Sequence, residues 1–138
     1  MAHTITTQKL FDGRKFTQIK VNIKGDSGDA SELTKAIIFD ASAYSTASTS
    51  NKLMEIQYCL NGFSAELFWD ASTDVPLISI EKDKAFRAKY WKLGGLYNNA
   101  GTGKTGDILI TTNGLASTTK DGYIILYVIE RKVPNRFE

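Results

Sequence analysis

Cysteine and histidine occur once each, at Cys59 and His3, and proline only twice. A single cysteine excludes an internal disulfide and any cysteine-rich metal site. A single histidine excludes a multi-histidine metal centre, and its place near the N-terminus makes it a poor base for a serine or cysteine nucleophile. An excess of one charge is missing too: the net charge is +2, and Lys and Arg form no run. That argues against nucleic acid as a partner. No stretch approaches the roughly 20 apolar residues of a membrane-spanning helix, so no membrane partner is expected. Met1-Ala2-His3-Thr4 lacks the basic start and apolar run of a signal peptide, which predicts folding in a cytoplasm.

What the chain does have is alternation. Its 138 residues are 42% hydrophobic and 23% charged, ordinary values for one globular domain spanning 1–138. Two prolines and 11 glycines, among many Thr and Ser, suit strands joined by defined turns. The most legible stretch is Leu53 to Asp70, centred on Asn61-Gly62, a dipeptide that tolerates the positive φ of a type I′ turn. A hairpin there faces Leu60 with Phe63, Tyr58 with Ala65, Ile56 with Leu67 and Met54 with Trp69 on an apolar side. Its polar side pairs Cys59 with Ser64, Gln57 with Glu66 and Glu55 with Phe68. The expectation is a central hairpin with Trp69 in the core and a half-exposed, inert Cys59 thiol.

Further strands are expected at His3 to Leu10, Thr17 to Lys24, Lys35 to Asp40, Leu77 to Glu81, Ala85 to Trp91, Ile108 onward and Tyr123 to Glu130. Asp12-Gly13 joins the first two. The run Ile124 to Ile129 is apolar on both faces, which predicts a central strand covered on each side. Ala41 to Ser50 and Gly94 to Gly106 read as long loops, and Asn113-Gly114 and Asp121-Gly122 bracket a polar connection. Residues 1–14 form an N-terminal arm and 131–138 a charged tail. The fold class is all-β: an antiparallel β-sandwich, jelly-roll-like or Ig-like, or a β-barrel.

Chemistry is harder to find. Gly101-Thr102-Gly103-Lys104-Thr105 imitates a phosphate loop, but position 98 is Asn98 where that motif needs glycine, and a strand follows instead of a helix. Asp26 and Asp29 lack the acid spacing of a calcium loop, so a solvated turn is the reading. Glu55 and Glu66 share the hairpin's polar side, with Gln57 and nearby lysines making a solvated face of it. Trp91 and Tyr97 are candidates for a sugar platform, set against core or loop-anchoring roles. No catalytic residue, cofactor or metal is assigned, and the chain is expected not to be an enzyme.

One resemblance goes further than periodicity. Phe11-Asp12-Gly13-Arg14, Lys20 to Asp26, Leu67-Phe68-Trp69-Asp70-Ala71, Gly94 to Gly101 and Thr105-Gly106-Asp107-Ile108 together resemble small virion structural proteins of tailed bacteriophages, especially those of marine and cyanobacterial hosts. The resemblance spans about Leu10 to Glu130. It implies a virion component made in the host cytoplasm, and the expectation built on it is a capsid decoration (cement) protein. Its partners would be the major capsid protein and further copies of itself, as dimer or trimer on the particle. Contacts are expected through Thr4, Ile5, Thr6 and Thr7 of the arm, as a strand added to a neighbour, and through Tyr97, Asn98 and Asn99 of the glycine-rich loop. The alternatives are a tail, neck or baseplate component, or a carbohydrate-binding module for host attachment.

Overall fold

A computed structural model describes residues 4–12, 16–25, 33–41, 51–81, 83, 85–90, 95–98, 100–115 and 121–130. The alternating segments become ten strands: β1 (Thr4–Asp12), β2 (Phe16–Lys24), β3 (Ala36–Phe39), β4 (Asn51–Asn61), β5 (Ser64–Trp69), β6 (Val75–Ile80), β7 (Ala85–Lys89), β8 (Leu96–Tyr97), β9 (Ile108–Asn113) and β10 (Asp121–Glu130). Among the described residues there is no α-helix, and no helix long and apolar enough to cross a membrane.

Two antiparallel sheets result. The first runs β1-β2-β10-β4-β7, with β8 also on β4 beside β7, and the second runs β3-β9-β5-β6. Opposing β2-β10-β4-β7 to β3-β9-β5-β6 is the strand order of a jelly roll, so the Ig-like and barrel alternatives fall away. Alternation along each strand turns one set of side chains inward. Ile19, Val21, Leu53, Ile56, Leu60, Ile124 and Leu126 from the first sheet meet Phe39, Leu67, Trp69, Ile80, Ile108 and Ile110 from the second, all 1% exposed or less. Each such burial contributes about 1.5–3 kcal/mol.

The inward set of the expected hairpin is borne out for Ile56, Tyr58, Leu60, Phe63, Ala65, Leu67 and Trp69, all in the core. A register shift between Leu53 and Glu55 gives the inward place expected for Met54 to Leu53, and Met54 is buried outside that cluster. The hairpin's pairing is not borne out. β4 pairs with β10, β7 and β8, while β5 pairs with β6 and β9. The short connection at Asn61-Gly62 therefore carries the chain across the core, from one sheet to the other. Leu60 and Phe63 are not a ladder pair, and Cys59 and Ser64 lie in different sheets. Of the dipeptide only Gly62 has positive φ, at 81°, so the type I′ requirement is unmet. A left-handed non-glycine residue near this connection is Asp83 (φ 59°), whose carboxylate accepts from Gly62 N–H at 2.7 Å and whose N–H donates to Leu60 C=O at 3.0 Å.

Asp121-Gly122 is a second correction. Both residues belong to β10 and not to the connection before it. A Cβ at Gly122 would sit 2.6 Å from the Cys59 carbonyl oxygen and 2.9 Å from Leu60 Cα. Glycine is needed there because the β4 backbone comes so close, a requirement that looks like a turn signal in sequence. The strand expected over Ala85 to Trp91 after an exposed turn is found as Ala85–Lys89. β10 is central, between β2 and β4, as its apolar run predicts. Its outer face, however, has no second layer of strands over it among the described residues.

Candidate functional site

The first sheet is five strand positions wide and the second four, so β1 overhangs the sandwich. That is where Thr4, Ile5, Thr6 and Thr7 lie. The expected arm is a strand of its own sheet, paired from Thr4↔Lys24 to Asp12↔Thr17, with a bulge between Lys9 and Phe11. Ile5 packs against the core. Thr6, Thr7, Gln8, Lys9, Leu10 and Phe11 are exposed, with Leu10 at 43% and Phe11 at 49%.

The bulge at Leu10 moves Phe11 onto the outer face, where sequence reasoning placed nothing. Phe11 stacks on Phe16 (centroids 4.6 Å, planes 21° apart), and Phe16 stacks on Tyr127 (4.4 Å, 12°). Lys20 Nζ sits 5.2 Å from the centre of the Tyr123 ring on the same face. Burial pushes the Tyr127 phenol above its ordinary range, and the Glu55 carboxylate adds to the shift. Glu55 in turn accepts from Arg87 Nε at 3.0 Å and from its terminal nitrogen at 2.8 Å. The signal available in sequence was the outward aromatic register of Phe16 and Tyr127 on neighbouring strands. It became readable only once β2 and β10 were known to pair.

Of the three contacts expected from the glycine-rich loop, Asn98 is not presented at the surface. Asn98 is 2% exposed and Asn51 1%. Asn51 Nδ2 donates to Gly106 C=O at 2.7 Å, Asn98 Nδ2 donates to Asn51 Oδ1 at 3.3 Å, and Ala100 N–H donates to Asn98 Oδ1 at 3.1 Å. These amides satisfy buried backbone groups, so Asn98 is an internal tie and not an exposed contact. Tyr97 pairs with Lys52 through its backbone. Its side chain lies outside the described residues, as do Asn99, Trp91, His3, Asp26, Asp29, Ser42 to Ser50 and the 131–138 tail.

The remainder of that loop is laced to the segment after β5. Thr105 Oγ1 donates to Asp70 Oδ2 at 2.8 Å, Asp70 N–H to Asp107 C=O at 3.1 Å, and Ser72 N–H to Thr102 C=O at 3.1 Å. A Cβ at Gly103 (φ 82°) would collide with the Ser72 side chain. The glycine of the phosphate-loop lookalike thus serves close packing, and β9 follows the loop where a phosphate loop would open a helix. Asp107 accepts from Ala41 N–H at 2.8 Å. Burial raises its pKa against that hydrogen bond, with the Asp40 and Asp70 charges adding to the rise. Asp74 shifts the opposite way, because Lys35 Nζ donates to it at 2.9 Å and Ala71 N–H at 3.0 Å.

Glu55 and Glu66 are on opposite sides of the molecule, on the outer faces of the first and second sheets, so they cannot flank one bond. A depression of about 540 Å³ at one end of the second sheet is lined by Ser64, Glu66, Ser79, Glu81, Thr111 and Asn113 among others, with no histidine, lysine or cysteine among the described residues. Among the described residues no group of three or more acidic, histidine or cysteine side chains is placed to hold a metal.

No family model matches the chain, and neither does any curated protein. Solved structures similar in shape include an RmlC-like cupin from Desulfovibrio desulfuricans (9% identity, 89% of this chain and 80% of that one, TM-score 0.34). A cupin-superfamily protein from Desulfitobacterium hafniense gives 8% identity over 96% and 82%, at a TM-score of 0.36. A family 29 carbohydrate-binding module from Piromyces equi gives 8% over 91% and 85%, at 0.35. At such TM-scores none of these likenesses says what this chain binds.

Proposed function

We propose that this domain is a virion structural protein of a tailed bacteriophage, a decoration (cement) protein that binds the outside of the capsid shell. The observation that carries the reading is the overhanging end of β1. There Leu10 and Phe11 stand in solvent, Phe11 stacked on Phe16 and Phe16 on Tyr127, on a sandwich whose 70–72 and 101–107 segments are tied together by hydrogen bonds. Exposed apolar groups gathered on a rigid frame mark a surface made for protein contact. The partner is the major capsid protein. Many copies on one lattice hold by avidity even where each contact is small. The resemblance to phage virion proteins supports the same reading.

The test is the double substitution Leu10→Ser, Phe11→Ser. Both side chains are exposed, so thermal unfolding shifts by only a few degrees, about what the loss of one aromatic stack costs. Occupancy on empty capsids, read by co-sedimentation, is expected to drop at least tenfold, a change of roughly 1.4 kcal/mol per copy. Full occupancy by the variant would remove this surface from the account. A particle reconstruction that places the protein in the tail, neck or baseplate would move the site of action, and specific binding on a glycan array would favour the attachment module instead.

A further inference from the structure

Each sheet edge leaves a row of backbone N–H and C=O groups open to another strand, and folded proteins usually guard such edges. Three of the four edges here are guarded. β3 is 4 residues long and bulged near Ile38. β6 carries Pro76 and a register shift beside it. β7 is 5 residues long with Arg87 and Lys89. β1 differs from all of them: it has 9 residues, no proline, Lys9 and Asp12 as its only charges, and exposed side chains from Thr6 to Leu10. Among the described residues it has β2 as its one neighbour. Because the first sheet is wider than the second, no opposing strand among the described residues stands in the way of an incoming one.

We propose that the free edge of β1, over Ile5 to Lys9, pairs antiparallel with the same segment of a second copy, about a two-fold axis through Thr7. A two-fold axis perpendicular to a joined sheet keeps facing side chains on the same side, so one residue must face itself. With Thr7 on the axis, Thr6 faces Gln8 and Ile5 faces Lys9, so no like charges meet. Moving the axis to Lys9 would oppose two ammonium groups, and moving it to Gln8 would run the pairing into the bulge beside Leu10. The segment is complementary to itself, and apart from Lys9 it offers no charge for an unrelated partner to match. That favours a copy over a foreign strand. The dimer rests on this edge alone and stands whether or not the domain decorates a capsid.

Sedimentation of the full chain, without capsids, tests it. The wild type is expected to sediment at twice its 15.3 kDa mass at high protein concentration. Thr7→Lys, which places two ammonium groups face to face, is expected to lose the dimer with an unchanged thermal melt. In a Cys59→Ser background, Thr7→Cys is expected to form an intermolecular disulfide on air oxidation, since facing Cα atoms fall within disulfide reach. Lys24→Cys in the same background is the exposed control and is expected to form no intermolecular disulfide. A wild type that is monomeric throughout, a dimer that survives Thr7→Lys, or no disulfide at position 7 would each overturn the proposal.

Discussion

Asp107 shows how a single side chain can hold a loop and yet oppose the fold electrostatically. Its Oδ1 takes the Ala41 N–H at 2.8 Å, while burial and the nearby Asp40 and Asp70 charges disfavour its ionised form. A folded-state pKa above the unfolded one contributes stability that is fully present below the unfolded value, near 3.9, and is lost as pH rises through the folded value. Asp107→Asn keeps an oxygen for Ala41 and abolishes the ionisation. Urea unfolding from about pH 3 to 7 should show the variant at least as stable as wild type at neutrality, with its relative advantage shrinking toward acid. Asp74 has the opposite sign. Its pKa is lowered by Lys35 first and Ala71 second, so its contribution is present at neutrality and fades as pH falls through its folded value. The difference between variant and wild type, and not the raw pH profile, is therefore the diagnostic. Neither carboxylate's role is visible in the sequence, where both look like loop acids.

At the scale of elements, the inward residues of nearly every strand were legible from period-2 alternation, and the neighbours of those strands were not. Leu60 and Phe63 turn inward whether their strands lie side by side or face each other across a core. The decisive contacts come from residues far along the chain, such as Ile124 opposite Tyr58 and Thr112 opposite Ala65. NMR can test this directly. Tyr58 should show backbone interstrand contacts to Ile124 and Phe86, and Ala65 to Thr112 and Ile80. A backbone ladder contact between Tyr58 and Ala65 would restore the hairpin and refute the crossing. The buried amides of Asn51 and Asn98 escaped for a related reason. Asn-Asn beside glycines has the composition of an exposed loop, and only the arrival of Gly106 and Ala100 makes these side chains structural.

For the whole molecule, the jelly-roll path means that consecutive strands pair with one another only at β1/β2 and β5/β6. Most ladders thus close long loops, which predicts folding on the millisecond-to-second scale typical of non-local β topologies. The overhang sets the limit of the cooperative unit. Deleting residues 2–9 removes most of β1, but of its described side chains there only Ile5 reaches the core. The truncated chain should still unfold in one transition, losing about 1–3 kcal/mol in a denaturant titration. Collapse to a non-cooperative melt would show that β1 belongs to the core after all. If β1 serves partners, as argued above, the truncated protein should also be monomeric and bind capsids poorly.

By itself the sequence determined an all-β fold, which side chains its strands turn inward, and that Trp69 lies in the core, because alternation and turn chemistry are properties of neighbours along the chain. The tertiary structure alone decided that β4 and β5 belong to opposite sheets, that Glu55 and Glu66 face opposite ways, and that Asn98 is internal. It also left one long edge overhanging, with Leu10 and Phe11 in water. Those outcomes depend on which distant segments meet, and a pattern of greasy and polar residues specifies a face without naming what will cover it.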